Sequence, residues 1–386
     1  MMKNGDTSKL FVIIGSLDIG GTENHLLRVM PKLQGNGLEI SIIAFRARGA
    51  LANEMERKNV PVLSPPPTKW IARQRFIRRT FIVFWLGFTL ARERPNIVHF
   101  FLPEAYLLGG VWSFFLGIPF RIMSRRSLNF YQKKHPLGAW IERYLHKTMD
   151  VLVGNSKAII RDLEKESANS KARIQLIYNG IDPNEFVEKL KPDEVRRELN
   201  IPAQALVFIT VANFIPYKGH KDLLKALANV KGKLPDPWRL ICVGRNDGIL
   251  NNLEQSASHL GISQNVIWLS SRRDIYDLMK ASDIGISSSH EEGLSNSVLE
   301  GMALGIPMIV TDVGGNTELI TDQETGLVVP ARSPSLLGEA CEYLAQNAEL
   351  RNSMKQAGKR RALSKFSMEV CVSSYFRLYN SLTTPG

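Results

Sequence analysis

Two short apolar runs, Asp283-Ile284-Gly285-Ile286 and Met308-Ile309-Val310, bracket the stretch that most constrains this chain. Each has the length and composition of a parallel strand buried on both faces. Between them, Ser297 to Leu304 has the spacing of a short helix, closed by Gly305 and Pro307. The order strand, loop, helix, strand places Glu292 where the first strand gives way to the loop. Ligands of open parallel sheets bind outside the carboxyl ends of the strands. The backbone N–H groups of Leu294, Ser295, Asn296 and Ser297, at the start of the helix, suit a phosphate.

Glu292 and Glu300 lie eight residues apart, one before this helix and one in its first turns. Two carboxylates flanking a phosphate-type site accept hydrogen bonds from the hydroxyls of sugars and riboses. A plainer reading stands beside that one. Ser297-x-x-Glu300 has the form of a capping box, in which Glu300 only satisfies a backbone N–H, and Glu291 and Glu292 have the form of solvated loop charges.

The run Glu292-Gly293-Leu294-Ser295-Asn296-Ser297-Val298-Leu299-Glu300-Gly301-Met302-Ala303 is followed by Gly305-Ile306-Pro307 and by Thr311-Asp312-Val313-Gly314-Gly315-Asn316. This pattern resembles the glutamate–seven residues–glutamate signature of retaining glycosyltransferases and is most similar to glycosyltransferase family 4. The resemblance implies a GT-B fold: two doubly wound, Rossmann-like α/β domains facing a cleft, with a C-terminal helix crossing back to the first. Residues 1–187 are expected to form the acceptor-side domain, with 366–386 packing back on it. Residues 188–365 are expected to bind the nucleotide-sugar donor.

The rest of the chain agrees with two domains. Its 386 residues exceed one ordinary core, and strands alternate with helices in both halves. An apolar share of 44% with 22% charged residues is that of a soluble globular protein. Cys242, Cys341 and Cys371 are scattered without disulfide or metal-ligand spacing, which fits a reducing compartment. Lys3, Asp6 and Lys9 precede Leu10-Phe11-Val12-Ile13-Ile14, a strand-sized run unlike a signal peptide. A cytoplasmic protein is expected.

The net charge of +12 is lopsided. Residues 1–180 hold 27 Lys+Arg against 13 Asp+Glu, a balance of +14, leaving 22 against 24 for the remainder. The first half is therefore expected to meet an anionic surface or acidic substrate. Lys69 to Arg94 concentrates arginines among Trp70, Phe76, Phe81, Phe84, Trp85 and Phe88. Its apolar part, Phe81 to Leu90, is too short to span a bilayer. Two readings remain for it: an interfacial helix on an anionic membrane, or a helix packed on the sheet with its arginines in water.

Other candidate site residues lie at strand ends. Gly20-Gly21, after the first strand and before a helix, allow backbone N–H groups to approach a diphosphate, or make only a turn. The family resemblance implies the former, since a Gly-Gly-x-Glu loop there faces the donor diphosphate. Asn155-Ser156 and Asn179-Gly180 match further family landmarks. His99 stands at or near a strand end, the place for a site residue, although a lone histidine there is more often structural. Where many family members carry a histidine loop, this chain reads Ser124-Arg125-Arg126-Ser127-Leu128-Asn129-Phe130. Arg125 and Arg126 suit phosphate on the donor or the acceptor, with the acceptor side preferred, or a solvated loop.

In the second half, Asn213-Phe214-Ile215-Pro216-Tyr217-Lys218-Gly219 resembles the family's diphosphate motif of an arginine followed by a lysine before glycine. Lys218 matches, Asn213 replaces the arginine, and Arg245 is a candidate to compensate. Arg272 and Arg273 occupy the place of the nucleotide-base loop.

The resemblance implies a hexosyltransferase that moves a sugar from a UDP- or GDP-sugar to a glycan or lipid-linked acceptor, in cell-envelope polysaccharide or glycolipid synthesis. It needs no metal or other cofactor. Lys218 would stabilise the departing diphosphate with the amides at Gly20-Gly21 and after Gly293, Glu292 would hold sugar hydroxyls, and Glu300 the ribose. With no evident nucleophile, front-face attack by the acceptor hydroxyl accounts for retention. The competing readings are a nucleotide-sugar 2-epimerase of GT-B architecture and a non-catalytic sugar- or nucleotide-binding relic. No nucleic-acid motif is present, so an anionic membrane surface is the expected partner of the basic half, on its cytoplasmic face.

Overall fold

The computed structural model describes residues 7–66, 75–128, 136–187 and 189–383. The part of the basic aromatic segment holding Lys69, Trp70, Ile71 and Arg73 lies outside them, as do Asn129, Phe130 and Glu188. The chain divides into two compact units, residues 1–180 with 368–386, and residues 181–367. The division falls at Gly180, earlier than the expected 187. Ile181 N donates to Phe366 O at 2.9 Å and Ile181 pairs with Ser367, so the chain is already fastened into the second unit there.

The first unit is a seven-stranded parallel sheet in the order β3-β2-β1-β4-β5-β6-β7. The strands are β1 Ser8–Ser16, β2 Leu38–Ala47, β3 Val62–Leu63, β4 Ile97–Phe101, β5 Phe120–Arg125, β6 Val151–Gly154 and β7 Arg173–Leu176. Its helices are α1 Gly21–Leu33, α2 Ala52–Arg57, α3 Arg75–Glu93, α4 Pro103–Phe115, α5 Pro136–His146 and α6 Lys157–Glu166. β1 shows why the sheet reads as continuous apolar runs. Leu10, Val12 and Ile14 pack on one face with α1 and α2, while Phe11 and Ile13 pack on the other with α3, α4, α5 and α6.

The second unit is a six-stranded parallel sheet ordered β10-β9-β8-β11-β12-β13. These are β8 Leu206–Val211, β9 Trp238–Val243, β10 Val266–Leu269, β11 Ile284–Ser287, β12 Met308–Thr311 and β13 Gly326–Val329. The helices are α7 Pro192–Glu198, α8 His220–Val230, α9 Leu250–His259, α10 Ile275–Lys280, α11 Asn296–Leu304, α12 Asn316–Leu319, α13 Pro334–Gln346 and α14 Ala348–Lys365. Its core joins Phe208, Leu240, Ile284 and Ile309 of the sheet to Leu223 and Leu227 of α8 and Leu337 and Leu344 of α13.

The last helix, α15 Met368–Thr383, returns to the first unit as expected. Its Met368, Cys371, Tyr375, Leu378 and Tyr379 are buried in the same cluster as α1 and β1. All three cysteines are free and buried.

Both sheets reverse winding direction once, between β1 and β4 in the first and between β8 and β11 in the second. Such switch points open a crevice at the carboxyl ends of the strands, because the flanking connections run to opposite faces. Lys218 follows β8 and Glu292 follows β11. Gly20-Gly21 follows β1. Among the described residues no helix is long and apolar enough to cross a membrane.

Candidate active site

Three loops meet at the switch point of the second unit. After β8, the turn Pro216–Lys218 ends in Gly219 with φ +72°. The loop after β11 lies against it: Ser288 Oγ donates to Lys218 O at 3.1 Å, and His290 N donates to Tyr217 O at 2.7 Å. The loop after β12 closes the other side. Thr311 Oγ1 donates to Ser289 O at 2.6 Å, and Gly315 N donates to Gly293 O at 2.8 Å.

These contacts bring Lys218 and Glu292, 74 residues apart in sequence, to 2.6 Å between Nζ and Oε1. Ser289 Oγ donates to the same carboxylate oxygen at 2.8 Å. The two side chains are 19% and 10% exposed. Such shielding strengthens any charge interaction made there. An ammonium has three donors and a carboxylate about four acceptor sites, so the mutual pair leaves bonding capacity on both groups. His290 is held in turn by Asp222 at 2.8 Å.

Two glycines permit this close meeting. A Cβ on Gly219 would lie 1.9 Å from Ser288 O, and one on Gly314 (φ +53°) would lie 1.8 Å from Glu292 O. Both positions combine left-handed backbone with no room for a side chain. Gly314→Ala is expected to displace the Glu292 loop. The measured result would be at least a tenfold loss of nucleotide-diphosphate binding by calorimetry, with the second unit's sheet still folded by circular dichroism. Unchanged binding would show that this loop does not shape the site.

The helix start differs from the plainer capping-box reading. α11 begins at Asn296, with Ser295 as its cap accepting from Val298 N at 3.5 Å. The box partner three residues after that cap is Val298, and Glu300 stands at the fifth helical position. Glu300 therefore does not stand at the box position of this cap. Leu294 and Ser295 are buried, whereas Asn296, Ser297 and Glu300 are partly exposed. Asn213 and Arg245 meet at the neighbouring strand ends, with Asn213 Oδ1 accepting from Arg245 N at 3.2 Å. The Arg245 side chain, however, turns outward to Asp247 at 2.8 Å and is exposed. Arg272 is held by Asp274 and Glu198 at 2.6 and 3.0 Å.

The first unit corrects two expectations. His99 is wholly buried, with Nδ1 2.8 Å from Tyr379 Oη and Nε2 2.7 Å from Ser124 Oγ. Burial, and then the Arg126 charge, push it down to about 3, so it stays neutral at neutral pH. It fastens α15 to the sheet, both ring nitrogens being taken up by Tyr379 and Ser124. Arg125 is also buried. It is paired with Glu142 and, at 2.6 Å, with Glu166, which removes it from phosphate binding. Glu142, His146 and Glu166 bring potential metal-ligand atoms within 4.8 Å of one another. The Arg125 guanidinium already supplies both carboxylates with a positive partner.

Arg126 has a different setting. Its Nη2 donates to Asn179 Oδ1 at 2.6 Å, and Asn155 Nδ2 reaches the same oxygen at 3.5 Å. Its charge also acts on Glu23, whose carboxyl burial raises above the usual range. Gly20 caps α1 with extended backbone. Gly20, Glu23, Arg126, Asn155 and Asn179 thus form a polar group at the carboxyl ends of the first sheet, with Asn155 Oδ1 buried and lacking a partner. Ser289, His290 and Asp222 carry no role on sequence grounds alone, because their importance lies in contacts between distant loops.

Comparisons with known proteins bear on the family and the fold. Residues 19–185 match the model described as Glycosyltransferase Family 4, and residues 192–361 match Glycosyl transferases group 1. A D-inositol 3-phosphate glycosyltransferase of Corynebacterium urealyticum is 30% identical over 63% of this chain and 59% of its own length. The chain thus spans less than two thirds of that relative. Another protein of that name, from Corynebacterium glutamicum, is 25% identical over 95% of this chain and 93% of its own. Among solved structures, Anabaena HepE in complex with UDP-glucose has TM-score 0.82 at 20% identity, covering 97% of this chain and 99% of its own. WaaG, a glycosyltransferase involved in lipopolysaccharide biosynthesis, has TM-score 0.75 at 18% identity, covering 97% and 100%. With both sheets, the returning C-terminal helix and the two family models in agreement, the chain belongs to glycosyltransferase family 4, a family of retaining enzymes, and has the GT-B fold.

Proposed function

We propose that this protein transfers a hexose-type unit from a nucleoside-diphosphate sugar to a glycan or lipid-linked acceptor at an anionic membrane surface, without a metal ion. The observation that carries the donor half is the shielded Lys218–Glu292 pair at the second sheet's switch point, beside the start of α11. A cation and a helix N-terminus together suit a diphosphate. A carboxylate beside them suits the hydroxyls of the attached sugar.

In the reaction, the bond from the anomeric carbon to the diphosphate oxygen breaks and its electron pair leaves with the diphosphate. Lys218 stabilises that charge, as do the amides after Gly293, the kind of preorganised electrostatics that often supplies the largest catalytic share. The acceptor hydroxyl forms its bond on the same face and its proton passes to the leaving phosphate oxygen. Glu292 orients the sugar and Glu300 the ribose. The polar group around Arg126 and Asn155 belongs to the acceptor side. HepE's complex with UDP-glucose and WaaG's part in lipopolysaccharide synthesis support the donor class and the envelope setting.

Incubation with a panel of nucleotide sugars and polyprenyl-diphosphate glycans, read by mass spectrometry, tests this reading. A glycosylated acceptor supports it; nucleotide released with no acceptor modified refutes it. With the donor found, Glu292→Gln and Glu300→Gln are each expected to lower kcat/KM roughly tenfold or more, the value of a hydrogen bond to a charged group. Near-normal turnover at both saturating and limiting donor would remove these glutamates from the site.

A further inference from the structure

The layer of α3, α4, α5 and α6 on the first sheet leaves a broad aromatic face outward. On α3, Ile82, Leu86 and Leu90 are buried, while Ile77, Phe84 and Phe88 point away, 46%, 62% and 65% exposed. α4 adds Phe114 and Phe115, and α5 adds Leu137, Trp140 and Tyr144. The helices adjoin, with Phe84 6.2 Å from Trp112 between ring centroids. From Ile77 to Ala91, from Ala105 to Phe115 and from Leu137 to His146 the sole carboxylate is Glu142, which is wholly buried. Arg78, Arg79 and Arg143 are exposed on the same helices, and Lys147 in the turn just after α5.

Beside Trp140 and Tyr144 a cleft of about 290 Å³ opens between α5 and the end of α6. Arg143, Lys147 and Lys165 line it, as do the Trp140 and Tyr144 rings, stacked at 6.5 Å between centroids. The one carboxylate in the lining, Glu166, is turned to Arg125 at 2.6 Å. The turn after α6 is fixed, with Ser167 Oγ 2.8 Å from His146 Nδ1 and Ser170 Oγ donating to His146 O at 2.7 Å.

We infer that this cleft binds the phosphate of an anionic phospholipid while the aromatic face beside it rests in the membrane interface. The inference depends on the membrane part of the proposed function and adds a site to it. Three cations around one small cleft match a phosphodiester head group. Aromatic rings in the cleft lining, next to exposed phenylalanines, match the level at which such head groups meet acyl chains. A soluble anion would find the cations but gain nothing from the exposed Phe84, Phe88, Phe114 and Phe115, so the apolar face selects the lipid.

The test is flotation of the full chain with phosphatidylcholine vesicles, with and without phosphatidylglycerol. The cleft variant is Arg143→Ser/Lys147→Ser/Lys165→Ser. The charge-matched control is Lys32→Ser/Arg57→Ser/Lys58→Ser, on α1 and at the end of α2 on the opposite face. Thermal melting of both confirms folding. The expected result is that phosphatidylglycerol promotes binding, that the cleft variant loses at least about tenfold in vesicle affinity, and that the control stays within about twofold. Equal losses in the two variants would mean that net charge alone acts, and would overturn the cleft while leaving membrane docking intact. Binding of neither vesicle type by the intact protein would overturn both.

Discussion

Lys218→Ala lowers kcat/KM for the nucleotide sugar by about a hundredfold or more, and Asn213→Ala by much less. The ammonium lies 2.6 Å from Glu292, among three loops tied to one another. Truncation removes the charge from where the diphosphate develops its own, and leaves a carboxylate that is only 10% exposed without its cation. Loss of a preorganised donor of this kind costs about 10²–10³ in rate. Asn213 contributes one neutral acceptor, to Arg245 N at 3.2 Å, worth about 1 kcal/mol. Steady-state kinetics with the donor selected in the panel, and calorimetric binding of the nucleoside diphosphate, give the comparison. Equal binding by the two variants would take Lys218 out of the diphosphate site.

The reasons why Lys218 and Glu292 were legible in the sequence also explain what was not. A strand in a parallel sheet is buried on both faces, so β11 and β12 stand out as unbroken apolar runs. The loop between them then falls at the sheet's carboxyl end by construction, and the family spacing marks its two glutamates. Which serine caps α11 is a different kind of question. Ser295 and Ser297 are two residues apart and chemically equal, and only the backbone at Ser295, extended before the helix, decides between them.

Longer-range choices leave even less trace. His99 and Tyr379 are 280 residues apart, so no local pattern around His99 shows that a returning helix will seal it into the core. Arg125 and Arg126 are adjacent and identical, yet successive residues at a strand end point to opposite faces. One therefore enters the layer beneath α5 and α6 while the other reaches Asn179. The aromatic face was half visible. The α3 stripe was read from its arginines and phenylalanines. The run Leu107 to Gly117, in contrast, looks like a buried helix by composition although Phe114 and Phe115 are 51% and 76% exposed.

The fate of Arg125 gives the largest expected stability effect. Arg125→Met lowers the stability of the first unit by about 3–5 kcal/mol, the cost of breaking a buried ion pair by removing one partner. Glu142 is wholly buried and Glu166 half-buried, and both bind this one guanidinium. Its proton is held more tightly than in a free arginine, because those two carboxylates outweigh the cost of burial. Without it, two negative charges face each other under the α5–α6 layer and must take up protons or rearrange. In a unit of this size the loss corresponds to a fall in melting temperature on the order of 10 °C. Replacing the cluster together, Arg125→Met with Glu142→Leu and Glu166→Gln, should recover most of it, because no uncompensated charge then remains. Scanning calorimetry of the three proteins, wild type, single and triple, decides the matter. A single variant that melts normally but fails to bind donor or acceptor would return Arg125 to the role of phosphate ligand.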